Sequence, residues 1–200
     1  MGHYKLDLQS LKVHFVTCAA HKFHGPKGVG FLYINHNVKI KPFINGGAQE
    51  RNMRGGTENV YGIVGLAKAF ELANEHMDEH QNHIKALKAY MKEQLEKNIE
   101  GMDFNGETGE GGLYTVLNCR FPHHPDAEML LFNLDIAGIA ASGGSACSSG
   151  SNQGSHVLRG IGIDMSRPSV RFSFSKYNTK EEIDSVVKKL KEMFAVTAKA

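Results

Sequence analysis

From Val60 to about Gly101 the apolar residues recur at helical spacing. They run first through Ile63, Val64, Leu66, Ala67, Phe70 and Leu72, then through Ile84, Leu87, Met91 and Leu95. This long helical region is expected to bridge two domains, because strand-like runs lie on both sides of it. Before it come residues 11–19 and 29–34, both rich in strand formers; the second is bounded by glycine and by Asn35-His36-Asn37 and reads as a buried strand. After it, residues 113–119 read as a strand, and Pro125-Asp126-Ala127-Glu128 opens a helix with the proline and acids that a first turn favours. Residues 136–142 read as a short strand, Ser155 caps a brief helix through Arg159, and residues 170–174 alternate as a strand. Thr179-Lys180-Glu181-Glu182 is a capping box that opens the last helix. The expected order is mixed α/β.

Composition narrows the class. Of 200 residues, 41% are hydrophobic and 22% charged, which is ordinary for a globular chain. A net charge of +2 with scattered basic residues gives no cationic stripe, so nucleic acid is not an expected partner. No apolar run is long enough to span a bilayer and no signal peptide opens the chain, so the expected setting is cytoplasmic and away from the membrane. Three cysteines at irregular spacing argue against a disulfide framework.

Two reactive side chains stand in small-residue settings far apart. Lys22 lies in Ala20-His21-Lys22-Phe23-His24-Gly25-Pro26-Lys27-Gly28, at the end of a strand and before a glycine-rich turn. Such a lysine can carry an aldehyde cofactor as a Schiff base if burial or a nearby cation lowers its pKa. The same turn could instead cradle a phosphate with Lys27, although the nucleotide P-loop pattern is not met. Cys147 lies in Ser142-Gly143-Gly144-Ser145-Ala146-Cys147-Ser148-Ser149-Gly150, with no large apolar neighbour to bury it. A thiol there can accept an atom from a substrate, whereas Cys18 and Cys119 sit inside strand-like runs and read as core residues. Between these, residues 44–57 form a polar, glycine-dense loop ending in Arg54-Gly55-Gly56-Thr57, where Thr57 is also a fitting N-cap for the following helix. Arg171 stands in the alternating strand, where the plain reading is an exposed arginine. His21 with His24, or His123 with His124, could begin a metal site, but neither pair has a third ligand beside it, and no metal is expected.

In these segments, together with His156-Val157-Leu158-Arg159 and Ser169-Val170-Arg171-Phe172-Ser173, the chain resembles the NifS/IscS-like cysteine desulfurases of the class V aminotransferases. The resemblance implies a fold-type I α/β enzyme that uses pyridoxal 5'-phosphate. Here residues 1–70 would end the large cofactor domain and 71–200 would form the small domain. It implies Lys22 as the Schiff-base lysine, His21 as a cofactor contact and Thr57 as the hydroxyl that reaches the phosphate in the neighbouring subunit of a homodimer. It implies Arg171 as the fork for the substrate carboxylate, a task in which lysine would be a poor substitute. Cys147 would carry sulfur from L-cysteine as a persulfide, leave L-alanine, and pass the sulfur to an acceptor or iron–sulfur scaffold protein.

Selenocysteine lyase or a related class V aminotransferase is the neighbouring enzyme reading, and a non-catalytic fragment or scaffold-binding module the reading from another class. Family members usually carry serine at the position of Ala19, and losing that hydroxyl would cost about 1–3 kcal/mol of phosphate binding unless water or Thr17 compensates. In the desulfurases it resembles, roughly as many residues again precede this point and supply the ring-stacking residue and the acid for the pyridine nitrogen. The chain therefore reads as a C-terminal half, expected to be inactive by itself.

Overall fold

The computed structural model describes residues 1–143 and 155–195. The chain divides into two compact units, Met1–Glu79 and His80–Ala200.

In the first unit, β1 (Phe15–Ala19) and β2 (Gly30–Ile34) form an antiparallel pair whose register runs from Phe15 opposite Ile34 to Ala19 opposite Gly30. The expected strand over 11–19 begins only at Phe15. Upstream the backbone bonds locally instead, with the Gln9 and Leu11 amides donating to Asp7 and Val13 donating to Leu11, and these turns compete with a ladder. Helix α1 (Val60–Glu75) covers one side of the pair. Its Phe70 meets Phe23 and Phe31 edge-on, with ring centroids 5.8 and 6.3 Å apart, over a small core of Ala20, Phe23 and Ala73. The expected buried strand over 29–34 is a correction: Leu32 is 49% exposed and Phe15, opposite Ile34, is 47% exposed. A two-stranded sheet with one small covering cluster cannot bury both of its faces.

Gly30 shows how tightly β1 and β2 meet. A Cβ there would lie 2.3 Å from the carbonyl oxygen of Cys18, a backbone atom that cannot rotate away. Gly30→Ala is expected to destabilise the first unit by about 1–3 kcal/mol, read as a lowered denaturant midpoint for the transition that reports on Met1–Glu79. An unchanged midpoint would show that the backbone has room to shift.

Helix α2 (Met77–Asn98) contains the division between the units, and from Ile84 onward its apolar stripe enters the core of the second. That core is a three-stranded antiparallel sheet in the order β3 (Asp103–Phe104), β4 (Val116–Arg120), β5 (Ser169–Ser173). Leu117 and Cys119 of β4 and Val170 and Phe172 of β5 point to the buried face. They pack with Leu87, Met91 and Leu95 of α2 and with Leu130 and Leu134 of α3 (Leu130–Ile136) in one cluster. Ser155 caps α4 (His156–Gly160) by accepting from the Leu158 amide at 3.4 Å. The last helix, α5 (Lys180–Ala195), opens on the expected capping box: Thr179 Oγ1 accepts from the Glu182 amide at 3.3 Å, and Glu182 Oε2 accepts from the Thr179 amide at 3.0 Å.

The expected strand over 136–142 is a second correction. Ile136 is the last residue of α3, and the Ala137, Gly138 and Ile139 amides return to Asn133, Asp135 and Leu134, with Gly138 at φ 76°. This left-handed helix ending consumes the backbone groups that a strand would have offered. Only Ser142 joins the sheet, as a bridge to Arg171.

Candidate active site

Lys22 is carried on a short 3-10 turn, Ala20–Phe23, that continues directly from β1. The Ala20 amide still donates to Val29 at 3.0 Å, so the turn starts in register with the ladder. Ala20 and Phe23, three residues apart, are buried, and His21 and Lys22 between them are exposed. His24 ends the turn in the left-handed region at φ 66°, and the Gly25 amide closes back on Ala20 at 2.9 Å. Only glycine fits at 25, since a Cβ would stand 2.8 Å from that of Ala20. Pro26 lies against Gly65 of α1, where a Cβ would be 2.6 Å from the proline ring. The turn is thus held from below by Phe23 and from the side by Pro26, and the Lys22 carbonyl also pairs with His3 Nε2 at 3.2 Å. Lys22 projects from a backbone with little freedom to move.

The glycine-dense loop is ordered by its own contacts. Gly46 and Gly55 meet backbone to backbone: a Cβ on Gly55 would lie 2.7 Å from both Cα and N of Gly46. Gln49 Oε1 accepts from the Gly56 amide at 3.1 Å, while Arg54 Nη1 donates to the carbonyls of Gly55 and Gly56 at 3.3 and 2.7 Å. Within it Glu50, Arg51 and Asn52 take φ of 47°, 57° and 65°, three non-glycine residues in succession in the left-handed region. Such a run costs energy at every residue and persists only where surrounding contacts over-determine it. Thr57 follows, exposed. The helix cap that its position suggested belongs to Asn59, whose Oδ1 accepts from the Gly62 amide at 3.1 Å.

In the second unit Arg171 stands in the middle of β5 on the face opposite Val170 and Phe172, with Asn118 as register partner. That face is polar. Asn105 Nδ2 donates to Asn118 Oδ1 at 2.8 Å and to Ser169 Oγ at 3.0 Å, Arg120 pairs with Asp103, and Arg171 Nε donates to Ser142 Oγ at 3.1 Å. The paired Asp103 carboxyl is held below the ordinary carboxylate range, chiefly by its hydrogen bond from Arg120. Ser142 escaped sequence reading; the signal available was its position as the residue that delivers the chain to the cysteine segment. Cys147 itself lies outside the described residues. Of the two described thiols, Cys119 is fully buried and desolvation pushes its pKa far upward, whereas Cys18 is half-buried in β1.

Lys22, His21 and Thr57 thus fall in the first unit and Arg171 in the second. His21 and Lys22 are adjacent, exposed residues of the clamped turn, and Thr57 is exposed at the end of the glycine loop. Among the described residues no three His, Cys, Asp or Glu side chains gather as a metal site, and no helix is long and apolar enough to cross a membrane.

Residues 1–186 match the family model described as aminotransferase class-V. A curated cysteine desulfurase IscS of Dictyoglomus turgidum is 42% identical over 92% of this chain and 47% of its own length. A cysteine desulfurase of Gluconacetobacter diazotrophicus is 39% identical over 96% of this chain and 50% of its own. Among solved structures, a NifS-like protein superposes with a TM-score of 0.84 at 36% identity, over 98% of this chain and 50% of that one. A NifS-like protein from Rickettsia africae superposes with a TM-score of 0.83 at 28% identity, over 97% of this chain and 51% of that one. The α/β fold is therefore that of the NifS-like, fold-type I proteins, and the chain spans about half the length of the curated relatives it matches.

Proposed function

The chain belongs to the class V aminotransferase family, and on that premise we propose that its residues serve a pyridoxal 5'-phosphate-dependent cysteine desulfurase. The observation that carries this reading is the clamped 3-10 turn, which presents Lys22 and His21 together over a buried base of Ala20 and Phe23. Lys22 would hold the cofactor covalently, with His21 and Thr57 as further contacts. When bound, pyridoxal phosphate supplies an electron sink that weakens the bonds around the substrate's α-carbon. The Arg171 guanidinium binds the α-carboxylate of L-cysteine and orients it. The Lys22 Nζ, once free, moves the proton of the α-carbon. The Cys147 Sγ attacks the substrate sulfur: an S–S bond forms, the Cβ–S bond breaks, and its electron pair stays on the carbon side and takes up a proton. L-cysteine and one enzyme thiol become L-alanine and one enzyme persulfide, with no other reactant required.

The same reading includes a homodimer, in which Thr57 serves the partner's cofactor. It is supported by apolar side chains left exposed in the flanking sequence, Phe43 at 95% before the glycine loop and Tyr61 at 92% and Val64 at 62% in the first turns of α1, which water covers at a cost. We place the reaction in the cytoplasm, where free thiols persist, with an iron–sulfur scaffold or other sulfur acceptor taking the persulfide sulfur. The test uses this chain with pyridoxal phosphate and L-cysteine, alone and with a polypeptide corresponding to the half of the relatives that it does not span. Equal amounts of alanine and sulfide, in the presence of a reductant, are expected from the combined preparation and only background from the chain alone. Absence of alanine from both would overturn the reading.

A further inference from the structure

Arg171 and Ser142 are joined more closely than strand neighbours need be. The Arg171 amide donates to the Ser142 carbonyl at 2.6 Å, and the Ser142 amide donates back to the Arg171 carbonyl at 3.1 Å. To this bridge the side chains add a second pair of contacts. Ser142 Oγ accepts from Arg171 Nε at 3.1 Å and lies 3.5 Å from the Arg171 carbonyl, to which it donates. A hydroxyl can both donate and accept, so one serine satisfies both groups and fixes the torsions of the arginine side chain between them.

A guanidinium meets a carboxylate two-pronged along one of its edges, either through Nε and one Nη or end-on through both Nη groups. With Nε occupied by Ser142, the end-on edge is the one on which both prongs can be offered. We propose that Ser142 is a positioning residue for Arg171: its hydroxyl holds Nε and so selects end-on binding of an amino-acid α-carboxylate. This rests on the carboxylate role proposed above for Arg171. The hydroxyl does this without carrying the fold, because the two backbone bonds that seat residue 142 on β5 do not involve its side chain. Gly143 beside it is held separately, where a Cβ would lie 2.4 Å from Leu131.

The test is equilibrium binding of L-alanine, followed by the cofactor's visible absorbance in the assembled holoprotein, with ethylamine as a ligand that has the amine but no carboxylate. Ser142→Ala is expected to weaken L-alanine binding roughly tenfold, the usual scale for one lost hydrogen bond to a charged group, and to leave ethylamine binding unchanged. Ser142→Thr, which keeps the hydroxyl, should restore L-alanine binding to within about twofold. Arg171→Lys should show the same ligand selectivity with a larger loss. If Ser142→Ala binds L-alanine as the wild type does while Arg171→Lys is impaired, the positioning role is overturned and the carboxylate role stands. If both variants bind normally, the role of Arg171 falls with it. Equal weakening of L-alanine and ethylamine by Ser142→Ala would show a general distortion and overturn the proposal.

Discussion

Lys22→Ala is expected to lower sulfide release in the assembled enzyme by about a hundred- to ten-thousandfold, the range that one positioned proton-transfer group contributes. The loss should be chemical rather than structural. Lys22 is exposed, and the turn beneath it is kept by buried Ala20 and Phe23 and by the Gly25 to Ala20 hydrogen bond, none of which uses the lysine side chain. The melting temperature of the variant should therefore stay near that of the wild type. Borohydride reduction in the presence of the cofactor, followed by peptide mapping, should label Lys22 in the wild type and leave Lys22→Ala without label. Lys27 is the internal control, since it is exposed on the same segment but lies beyond the close of the turn. Label on Lys27, or full activity in Lys22→Ala, would remove Lys22 from the chemistry.

Cys147→Ser should reduce sulfide release by roughly three orders of magnitude or more, as loss of a nucleophile does elsewhere, while cofactor colour and content remain. A thiolate attacks sulfur; a serine hydroxyl at neutral pH does not. The three cysteines can be ranked by native alkylation. Cys119 is fully buried with its pKa pushed far upward by desolvation, so it should react last, and Cys18, half-buried within β1, should react slowly. Cys147, with small and polar neighbours in sequence, should react first. After single turnover with L-cysteine, mass spectrometry should find the peptide that contains Cys147 heavier by one sulfur atom. Extra sulfur on Cys18, or alkylation of Cys18 as fast as Cys147, would transfer the carrier role or dissolve it.

The elements that could be read from the amino acids are those whose determinants are local. The helical spacing from Ile63 to Leu72 and from Ile84 to Leu95 became α1 and α2, and the capping box at Thr179 and Glu182 closed with both reciprocal bonds. In each case a side chain and the backbone it serves lie within one or two turns of each other. The misreadings have a common cause as well. Residues 136–142 read as a short strand in sequence, but whether a strand forms depends on which backbone groups remain unspent, and the ending of α3 had already taken the amides of 137–139. Thr57 is a good N-cap by type, yet Asn59 fills the role, because the cap is decided by where the first helical amides point. Leu32 is apolar and lies in an apolar run, and its exposure depends on what covers the pair formed by β1 and β2.

The candidate site divides in the same way. Lys22 and Cys147 could be proposed from sequence as reactive groups in small-residue settings, and Thr57 through the resemblance of its glycine loop to the desulfurases. That the Lys22 turn is clamped by Phe23 and Pro26, that Gly46 closes on Gly55, and that Ser142 holds Arg171 across 29 positions of chain could come only from the tertiary structure. Residue types and short-range spacing determine which groups are available to react and which segments can curl into a helix or turn. Which distant groups meet, and hence which rotamer an arginine must keep, is decided by long-range packing and strand register, whose energies are shared among many residues and written in no single stretch of the chain.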